Sequence, residues 1–444
     1  MSINSNSTPE YIKVLIVSHN ALSLHGNNGK TLYSLFKNWP AENIAQLYFR
    51  DETPESDKFQ HFFRLRDIDI FKVMIGIKRK SHCGDVIEAA KFLGKRQVNR
   101  SRTKNIIEKI LKDHLHIHII FRDIIYATNL WQSKKLVSWV STFHPNAIFF
   151  LGGDSLFSFR IVLWLSEKYK IPLYIYLTDD YVINNKPVSV IERWQHNAVI
   201  NCYKHSFDKA AGLFVIGEMM AEEFEKYFSK HFHPVMNSIE FSNLLRPSFQ
   251  RSDKNEISIV YAGGLHLNRW QMIIEFGQLI NKCCEMLNKK VNVEIFSVQK
   301  PDMSIRRQLD EAPLSYKGEL SVDALKTKLA NADFLLHVES TEKKYRKLTK
   351  LSVSTKISEY LASGTCIIGY GPAEVASMRI LSDNKIGLTI TDIDNDDEKI
   401  EKLKKILSNS NMRNEFAQNG FDYAFNNFNA EKSRSYLKNI LCAR

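Results

Sequence analysis

Residues 355–368 read TKISEYLASGTCII, which places a polar loop, a short amphipathic helix, a glycine and an apolar strand in immediate succession. Lys356 and Glu359 are three residues apart, so they share one face at the start of the predicted helix. The free N–H groups and positive dipole end of a helix start favour a phosphate, and a carboxylate there can accept the two hydroxyls of a ribose. The alternative is a glutamate that complements the helix dipole beside a solvated lysine. On this stretch alone, a nucleotide site and an ordinary helix start both remain open.

A second stretch, residues 257–270, reads ISIVYAGGLHLNRW. It is an apolar strand that runs into Gly263 and Gly264, followed by Arg269 at the start of the next predicted helix. Glycines at such a turn let the backbone approach a ligand closely, and an arginine can bind a diphosphate with two parallel hydrogen bonds. Between the two stretches, Ser321 is a predicted N-cap and residues 334–338 a predicted buried strand. The combination favours a nucleoside diphosphate site.

In its order of elements, the C-terminal half resembles the donor-binding domain of GT-B glycosyltransferases, most closely the retaining enzymes of glycosyltransferase family 4. In that family, a glycine turn with a downstream basic residue binds the donor diphosphate, and a later helix carries a ribose-binding glutamate. The residues that match this pattern are Gly263, Gly264, Arg269, Glu359, Ala362, Gly364 and Thr365. The resemblance implies donor binding by these glycines, by Arg269 and Glu359, and by Thr355 and Lys356 on the same helix start.

The chain departs from the family pattern at three positions. Leu351 stands where a second glutamate usually binds the donor sugar, Gly264 where a basic residue is usual, and Cys366 where proline is usual. Lys356 can supply the missing positive charge. The resemblance implies a metal-independent, retaining hexosyltransferase with a nucleotide sugar as co-substrate and no other cofactor. The departures leave the sugar and the stereochemical outcome open.

Strands and helices alternate along the whole chain, which predicts an α/β fold with parallel sheets. Predicted strands in the first half are residues 11–18, 147–151, 172–177 and 212–216. The resemblance implies the GT-B architecture, in which two Rossmann-like domains face each other across a cleft. We predict an acceptor-side domain at 1–245, a donor-binding domain at 246–428, and a C-terminal helix at 429–444 that crosses back to the first domain.

Length and composition agree with two domains, because the chain has 444 residues and 44% hydrophobic residues. No apolar run is long enough to span a bilayer, and residues 1–10 lack the apolar core of a signal peptide. The six cysteines show no C-x-x-C spacing and indicate reduced thiols without a structural zinc site. We therefore predict a cytoplasmic protein.

Positive charge is concentrated in residues 61–135, which contain 17 Lys and Arg against 7 Asp and Glu. Large apolar residues alternate with these cations. Such a surface suits the anionic headgroups of a membrane, at the inner membrane face, or a nucleic-acid backbone. A solvated helical face over a core is the third interpretation.

The first half contains a glycine-rich loop, GNNGKT at residues 26–31, that follows a strand and opens a helix. It lacks the first glycine of a nucleotide-binding P-loop, because Leu24 occupies that position. Its backbone N–H groups can still cradle a donor phosphate or sugar. We predict donor contacts at Gly26, Asn28 and Gly29, with a purely structural turn as the alternative.

Asp179 and Asp180 follow a predicted strand and are the strongest acid pair of the first domain. One of them can bind or deprotonate an acceptor hydroxyl, and we predict both as catalytic candidates. Helix capping is the alternative. His114, His116 and His118 alternate, but no fourth ligand lies nearby, so an exposed strand face is favoured over zinc.

These observations predict a glycosyltransferase that moves a sugar from a nucleoside diphosphate to a hydroxyl of a glycan or lipid-linked glycan. Synthesis of a surface polysaccharide, capsule or lipopolysaccharide, is the predicted role. Two other interpretations stay open: a catalytically inactive GT-B-like binding subunit, and a basic nucleic-acid-binding protein.

Overall fold

The computed structural model describes residues 11–24, 27–89, 122–184, 187, 189–236, 238–242, 244, 246–249 and 254–443. The chain divides into two compact units. The first comprises Met1–Val235 and Ser433–Arg444, and the second comprises Met236–Lys432. The first unit thus ends before the boundary that the sequence predicted near residue 245.

A mostly parallel sheet forms the centre of the first unit. Its strands are β1 (Val14–Ser18), β2 (Ile44–Tyr48), β3 (His61–Arg64), β4 (Asp85–Ile87), β5 (Ala147–Gly152), β6 (Leu173–Leu177), β7 (Gly212–Val215) and β8 (His233–Pro234). The strand order is β4-β3-β2-β1-β5-β6-β7-β8. Only the β3–β4 pair is antiparallel among the described strands. Every residue of β1, β2, β5 and β6 is buried, because both faces of the sheet are covered.

The helices of the first unit lie between these strands in the chain. They are α1 (Asn27–Phe36), α2 (Asp67–Met74), α3 (Lys134–Phe143), α4 (Leu156–Tyr169), α5 (Val190–Lys209) and α6 (Glu218–Phe228), and residues 122–127 are also helical. Two of them begin with side-chain caps that the sequence supplies. Ser133 accepts a hydrogen bond from Leu136 N at the start of α3, and Ser189 and Glu192 form a capping box at the start of α5.

A fully parallel sheet forms the centre of the second unit. Its strands are β9 (Glu256–Ala262), β10 (Lys290–Phe296), β11 (Leu314–Gly318), β12 (Phe334–Val338), β13 (Cys366–Gly371) and β14 (Leu388–Thr391). The strand order is β11-β10-β9-β12-β13-β14. All five neighbouring pairs are parallel.

Helices follow most of these strands. They are α7 (Arg269–Met286), α8 (Met303–Leu309), α9 (Val322–Asn331), α10 (Lys343–Thr349), α11 (Thr355–Ala362), α12 (Ala376–Asp383), α13 (Asp396–Leu407) and α14 (Ser410–Asn427). The core contains apolar residues of α7 and α13 together with the inward residues of all six strands.

The last helix, α15 (Ala430–Cys442), contributes to the first unit from Ser433 onwards. Leu437 and Leu441 lie in the core of that unit. Arg434 donates a hydrogen bond from Nε to the carbonyl oxygen of Ser34 at 2.7 Å. The end of the chain therefore packs on the unit that contains its beginning.

The structure confirms the α/β class and the parallel sheets. β12 has the bounds that its apolar run predicted, and Ser321 caps α9 by accepting a hydrogen bond from Ala324 N. β1 begins at Val14 instead of residue 11. These agreements reflect strands so deeply buried that nearly every residue must be apolar.

Gly29 lies in the first turn of α1 and is buried. A Cβ at this position would collide with the carbonyl oxygen of Ala21, in the loop after β1. The collision involves backbone, so it cannot be relieved by a side-chain rotation. The close approach of α1 to this loop therefore requires glycine.

We expect Gly29→Ala to lower the free energy of unfolding by about 1–3 kcal/mol, because the methyl group overpacks the loop. In an unconstrained helix the same change would be stabilising. Urea unfolding followed by circular dichroism measures the effect. Gly153→Ala is the matched control, since only atoms of Tyr181, at 3.9 Å or more, lie near its added Cβ. Equal stability of the two variants would contradict the packing role.

Candidate functional site

Polar and charged side chains collect at the carboxyl edge of the second sheet. β9 ends before Gly263 and Gly264, and β12 ends before Glu339. Helices α7 and α11 begin near this edge with Arg269 and with Lys356 in their first turns. In parallel sheets, ligands bind outside the carboxyl ends of the strands, so this is where a site is expected.

Tyr360 fixes the start of α11 against the end of β9. Its hydroxyl accepts a hydrogen bond from Ala262 N at 2.7 Å and donates one to Ala262 O at 3.2 Å. The Tyr360 side chain is fully buried, as is that of Ile357 on the same helix. These contacts hold the first turn of α11, and with it Lys356 and Glu359, beside the glycine turn.

Lys356 lies directly against Gly263. A Cβ at position 263 would collide with Lys356 Nζ, which is 5.9 Å from the centroid of the Tyr261 ring. Burial, reinforced by the charge of Arg269, lowers the pKa of Lys356 to about 8. Within the described part of the chain, no acceptor forms a hydrogen bond or ion pair with this ammonium group. Lys356 is therefore a largely buried cation beside a backbone turn without side chains.

The glycine turn itself is held by two side chains. Tyr261 donates a hydrogen bond to the carbonyl oxygen of Gly264 at 2.6 Å. Oε1 of Gln299 accepts hydrogen bonds from Leu265 N at 2.6 Å and His266 N at 3.1 Å. These hydrogen bonds fix the conformation of the turn, and the part that Gln299 plays could not be recognised in the sequence.

Arg269 forms an ion pair with Glu339, a residue that the sequence analysis missed. Nη2 of Arg269 lies 3.1 Å from Oε1 and 3.0 Å from Oε2 of Glu339. The Glu339 side chain is 2% exposed and the Arg269 side chain 12% exposed. Only the position of Glu339 at the end of a predicted buried strand could have drawn attention to it.

His337 lies on β12 beneath this pair and is buried. Burial, together with the charges of Arg269 and Lys356, lowers the pKa of its imidazole to about 3. Nε2 lies 3.4 Å from Oε1 of Glu339, without the geometry of a hydrogen bond. The ring is therefore neutral and adds no charge to the site.

The remaining donor-site candidates of the second unit lie on the same helix or in the core. Thr355 is exposed and Glu359 half-buried on the first turns of α11. Leu351, which stands where the family pattern has a sugar-binding glutamate, is 1% exposed and belongs to the packed interior. The structure thus brings together Gly263, Gly264, Arg269, Lys356 and Glu359 in one region, and donor binding by these residues stays a prediction.

The glycine-rich loop of the first unit is only partly described. Gly26 lies outside the described residues, as do His114, His116 and His118. Asn28 is half-buried, and Gly29 has the packing role given above. Donor contacts by these three loop residues remain predictions.

The two acidic candidates of the first unit differ in their surroundings. Asp180 is buried, and its carboxylate accepts four hydrogen bonds, from the backbone N–H groups of residues 182–184 and from Asn184 Nδ2, at 2.8–3.0 Å. Asp179 is half-buried, and its Oδ2 lies 3.4 Å from the hydroxyl of Tyr181. Asp180 organises the turn after β6, which leaves Asp179 as the more accessible carboxylate.

Two further titratable residues lie near the carboxyl edge of the first sheet. His19 follows β1 and packs edge-on against Phe49 and Phe157, with ring centroids 5.5 Å apart in each case. Burial and the neighbouring arginines lower its pKa to about 3. Burial raises the pKa of Asp123 to about 6, and its carboxylate accepts a hydrogen bond from Phe157 N at 3.2 Å. The sequence analysis singled out neither residue.

Among the residues that the structure describes, His, Cys, Asp and Glu form no group of three or more that could hold a metal ion. No helix in the described part of the chain is both long and apolar enough to span a membrane.

We expect Tyr360→Phe to lower the free energy of unfolding of the second unit by about 1–3 kcal/mol, because Ala262 N would be left buried without a partner. Thermal unfolding measures this loss. Tyr345→Phe is the matched control, since its ring is half-buried and its hydroxyl has no hydrogen bond among the described residues. A loss of the same size in both variants would show that the bonds to Ala262 are not the cause.

Residues 275–418 match the family model described as the C-terminal domain of glucosyltransferase 3-like proteins. This segment contains Glu339, Lys356 and Glu359. No curated protein sequence matches the chain.

Several solved structures share the fold of the whole chain. The structure of Anabaena Alr3699/HepE in complex with UDP superposes with a TM-score of 0.59 and 11% identity, over 98% of this chain and 100% of that one. TarM gives a TM-score of 0.60 and 11% identity over 97% and 99% of the two chains. WaaG, described as a glycosyltransferase involved in lipopolysaccharide biosynthesis, gives 0.54 and 13% over 96% and 99%. The chain therefore has the fold of the GT-B glycosyltransferases, and its second unit is similar to the C-terminal domain of glucosyltransferase 3-like proteins.

Proposed function

We propose that this protein is a glycosyltransferase that moves a hexose from a nucleoside diphosphate sugar to a hydroxyl of a glycan or lipid-linked glycan. The observation that carries the proposal is the position of Lys356 beside the glycine turn, with Arg269 nearby: among the described residues, its ammonium group forms no hydrogen bond or ion pair. Glu359 lies one helical turn away on the same helix. A cation, a backbone turn without side chains and a carboxylate are the groups that a diphosphate and a ribose require.

Uracil is the first nucleotide base to test. The Alr3699/HepE structures contain UDP, and in one case UDP and glucose. A TarM mutant structure contains UDP, and an E. coli protein with the same fold is bound with UDP-2-fluoro glucose. These ligands belong to those proteins, and they support UDP-glucose as the first donor to offer this one.

The proposed reaction depends on stabilising the departing nucleoside diphosphate. The bond between the anomeric carbon and the diphosphate oxygen breaks, the acceptor oxygen forms a bond to that carbon, and the proton of the acceptor hydroxyl passes to the departing diphosphate. Lys356, Arg269 and the N-terminal N–H groups of α11 would stabilise the charge that develops on the leaving oxygen. Because Lys356 and Arg269 are cationic, the proposed mechanism uses no metal ion. Retention of configuration at the anomeric carbon is proposed from the resemblance to family 4. Asp179 is the proposed contact for the acceptor hydroxyl.

A basic and apolar surface of the first unit supports a membrane-associated acceptor. On α2 and in the loop that follows it, four apolar side chains are exposed: Ile68 (45%), Met74 (44%), Ile75 (49%) and Ile77 (71%). Lys72, Arg79 and Lys80 are exposed among them. Cations interleaved with apolar side chains favour an anionic bilayer surface. We propose that the protein works in the cytoplasm at the inner membrane face, on a lipid-linked precursor of capsule or lipopolysaccharide.

A catalytically inactive binding subunit is the second candidate. Leu351 favours it, because a buried leucine replaces the glutamate that contacts the donor sugar in the resembling family. Such a subunit would bind the nucleotide without turnover. Assays of UDP release from UDP-glucose, with and without lipid-linked acceptors, separate the two candidates.

We expect UDP-sugars to raise the melting temperature of the protein, since a ligand that binds only the folded state adds about 2.7 kcal/mol at 100 times its Kd. UDP-, GDP-, ADP- and CMP-sugars form the panel for a thermal shift measurement. Glu359→Ala should reduce the shift for the preferred class. Glu415→Ala, an exposed carboxylate on α14, is the matched control and should keep it. If no nucleotide sugar shifts the melting temperature, the proposed function is wrong and the nucleic-acid interpretation gains.

We expect the protein to float with anionic lipid vesicles at low salt and to dissociate as salt is raised, because screening weakens its contact with headgroups. In the same flotation assay, Ile75→Asp combined with Ile77→Asp should abolish binding. Ile393→Asp removes an equally apolar side chain that is 78% exposed in the second unit, and it should leave flotation unchanged. Wild-type protein that stays at the bottom of the gradient at low salt would contradict the membrane proposal.

A further inference from the structure

The ion pair between Arg269 and Glu339 is the most deeply buried charged group of the candidate donor site. Both carboxylate oxygens of Glu339 accept from a single guanidinium nitrogen, Nη2, at 3.0–3.1 Å. A carboxylate that is 2% exposed has lost nearly all of its hydration. Burying such a pair brings little stability, because desolvation offsets much of the attraction. Its presence at the end of β12 therefore calls for an explanation beyond folding.

The pair leaves part of the guanidinium unused. Arginine presents five N–H donors in a rigid plane, and Glu339 engages only those of Nη2. Within the described residues, Nε and Nη1 of Arg269 form no hydrogen bond. Each of these nitrogens can donate a hydrogen bond to a phosphate oxygen.

Glu339 also balances two neighbouring cations. Arg269 and Lys356 are close enough for the charge of each to act on the other, and Arg269 contributes to the lowered pKa of Lys356. Without an anion, this repulsion would favour rotation of the arginine away from the turn. His337, beneath the pair, is neutral and cannot supply the balance. The Glu339 carboxylate is therefore the group that keeps Arg269 and Lys356 close together before a ligand binds.

We propose that Glu339 is a positioning residue that holds Arg269 in place to bind the donor diphosphate together with Lys356. This inference rests on the proposed function, because it assigns a part in the same donor site. Glu339 does not touch the donor itself. Its effect on the ligand passes through the guanidinium of Arg269.

The positioning role has a competing consequence that makes it testable. The negative charge of Glu339 also repels a diphosphate, so a carboxylate that only opposed the ligand would weaken binding. Removing the charge then gives opposite results in the two cases. Loss of positioning lowers affinity for UDP, whereas loss of repulsion raises it.

The experiment compares UDP with uridine, which lacks the diphosphate, by isothermal titration calorimetry on the full chain. We expect Glu339→Gln to weaken UDP binding about tenfold, a coupling typical of directly interacting residues, and to leave uridine binding unchanged. Arg269→Gln should also weaken UDP binding selectively. Because Glu339 acts through Arg269, the double variant should bind UDP no more weakly than Arg269→Gln alone.

Glu342→Gln is the matched control. Glu342 is an exposed carboxylate three residues further on, and it accepts a hydrogen bond from Asn268, the neighbour of Arg269. The Glu342→Gln substitution removes one negative charge near the site and leaves the contacts of the Arg269 guanidinium unchanged. The ratio of UDP to uridine affinity should therefore not fall. A fall in Glu342→Gln equal to that in Glu339→Gln would overturn the positioning role.

The remaining outcomes are also decisive. UDP affinity in Glu339→Gln that equals or exceeds the wild-type value overturns the inference while leaving the proposed function intact. If wild-type protein binds neither UDP nor any nucleotide of the thermal panel, the proposed function fails, and with it the inference. Should Glu339→Gln not fold, Arg269→Lys keeps the charge but loses the fork of donors. Its ratio of UDP to uridine affinity should fall, and an unchanged ratio overturns the inference.

Discussion

Repulsion between two cations at the edge of a buried sheet is the constraint on which the second unit depends. Lys356 and Arg269 come from different helices, and burial strengthens the repulsion between them because little water screens it. Three contacts of the fold hold the two cations in place despite this repulsion. Tyr360 clamps α11 to Ala262, the side-chain-free position 263 gives Lys356 its place, and Glu339 pairs with Arg269. A region in which three contacts hold two cations close together is suited to binding an anion.

The sequence predicted the elements that are buried on both faces, because burial leaves a continuous apolar run as its signature. β12 is the clearest case, and the short polar sequence after it carried no such signature. Glu339 was therefore missed. Its partner Arg269 is also 70 residues away in the chain, so the pair is not visible in the local sequence. Pairings over that distance are set by the order of strands in the sheet, with β12 beside β9, and one sequence alone does not determine that order.

Neighbouring residues of the same type can receive different roles that only geometry separates. Asp179 and Asp180 are the same residue type and adjacent in the chain, so the sequence does not distinguish their roles. In the structure, the carboxylate of Asp180 is occupied by backbone and side-chain donors of residues 182–184, as in a capped turn, whereas Asp179 faces Tyr181. The same applies to Gly29, whose place in a glycine-rich loop suggested phosphate binding and whose buried contact with Ala21 explains it by packing. A motif residue can therefore serve the backbone of its own turn, as Asp180 does, whatever the role of its neighbour.

The departures from the family 4 pattern acquire a physical meaning from the site. The family pattern has a glutamate at the position that Leu351 occupies. Because Leu351 is buried in the core, a carboxylate introduced there would lie in the packed interior. The buried carboxylate of this region is instead that of Glu339, which forms an ion pair with Arg269. A donor sugar in the proposed site would therefore have to be recognised by groups other than a side chain at position 351. If the proposed donor site is correct, the cations that match the family pattern would bind the nucleotide part of the donor, and selection of the sugar would depend on residues particular to this chain.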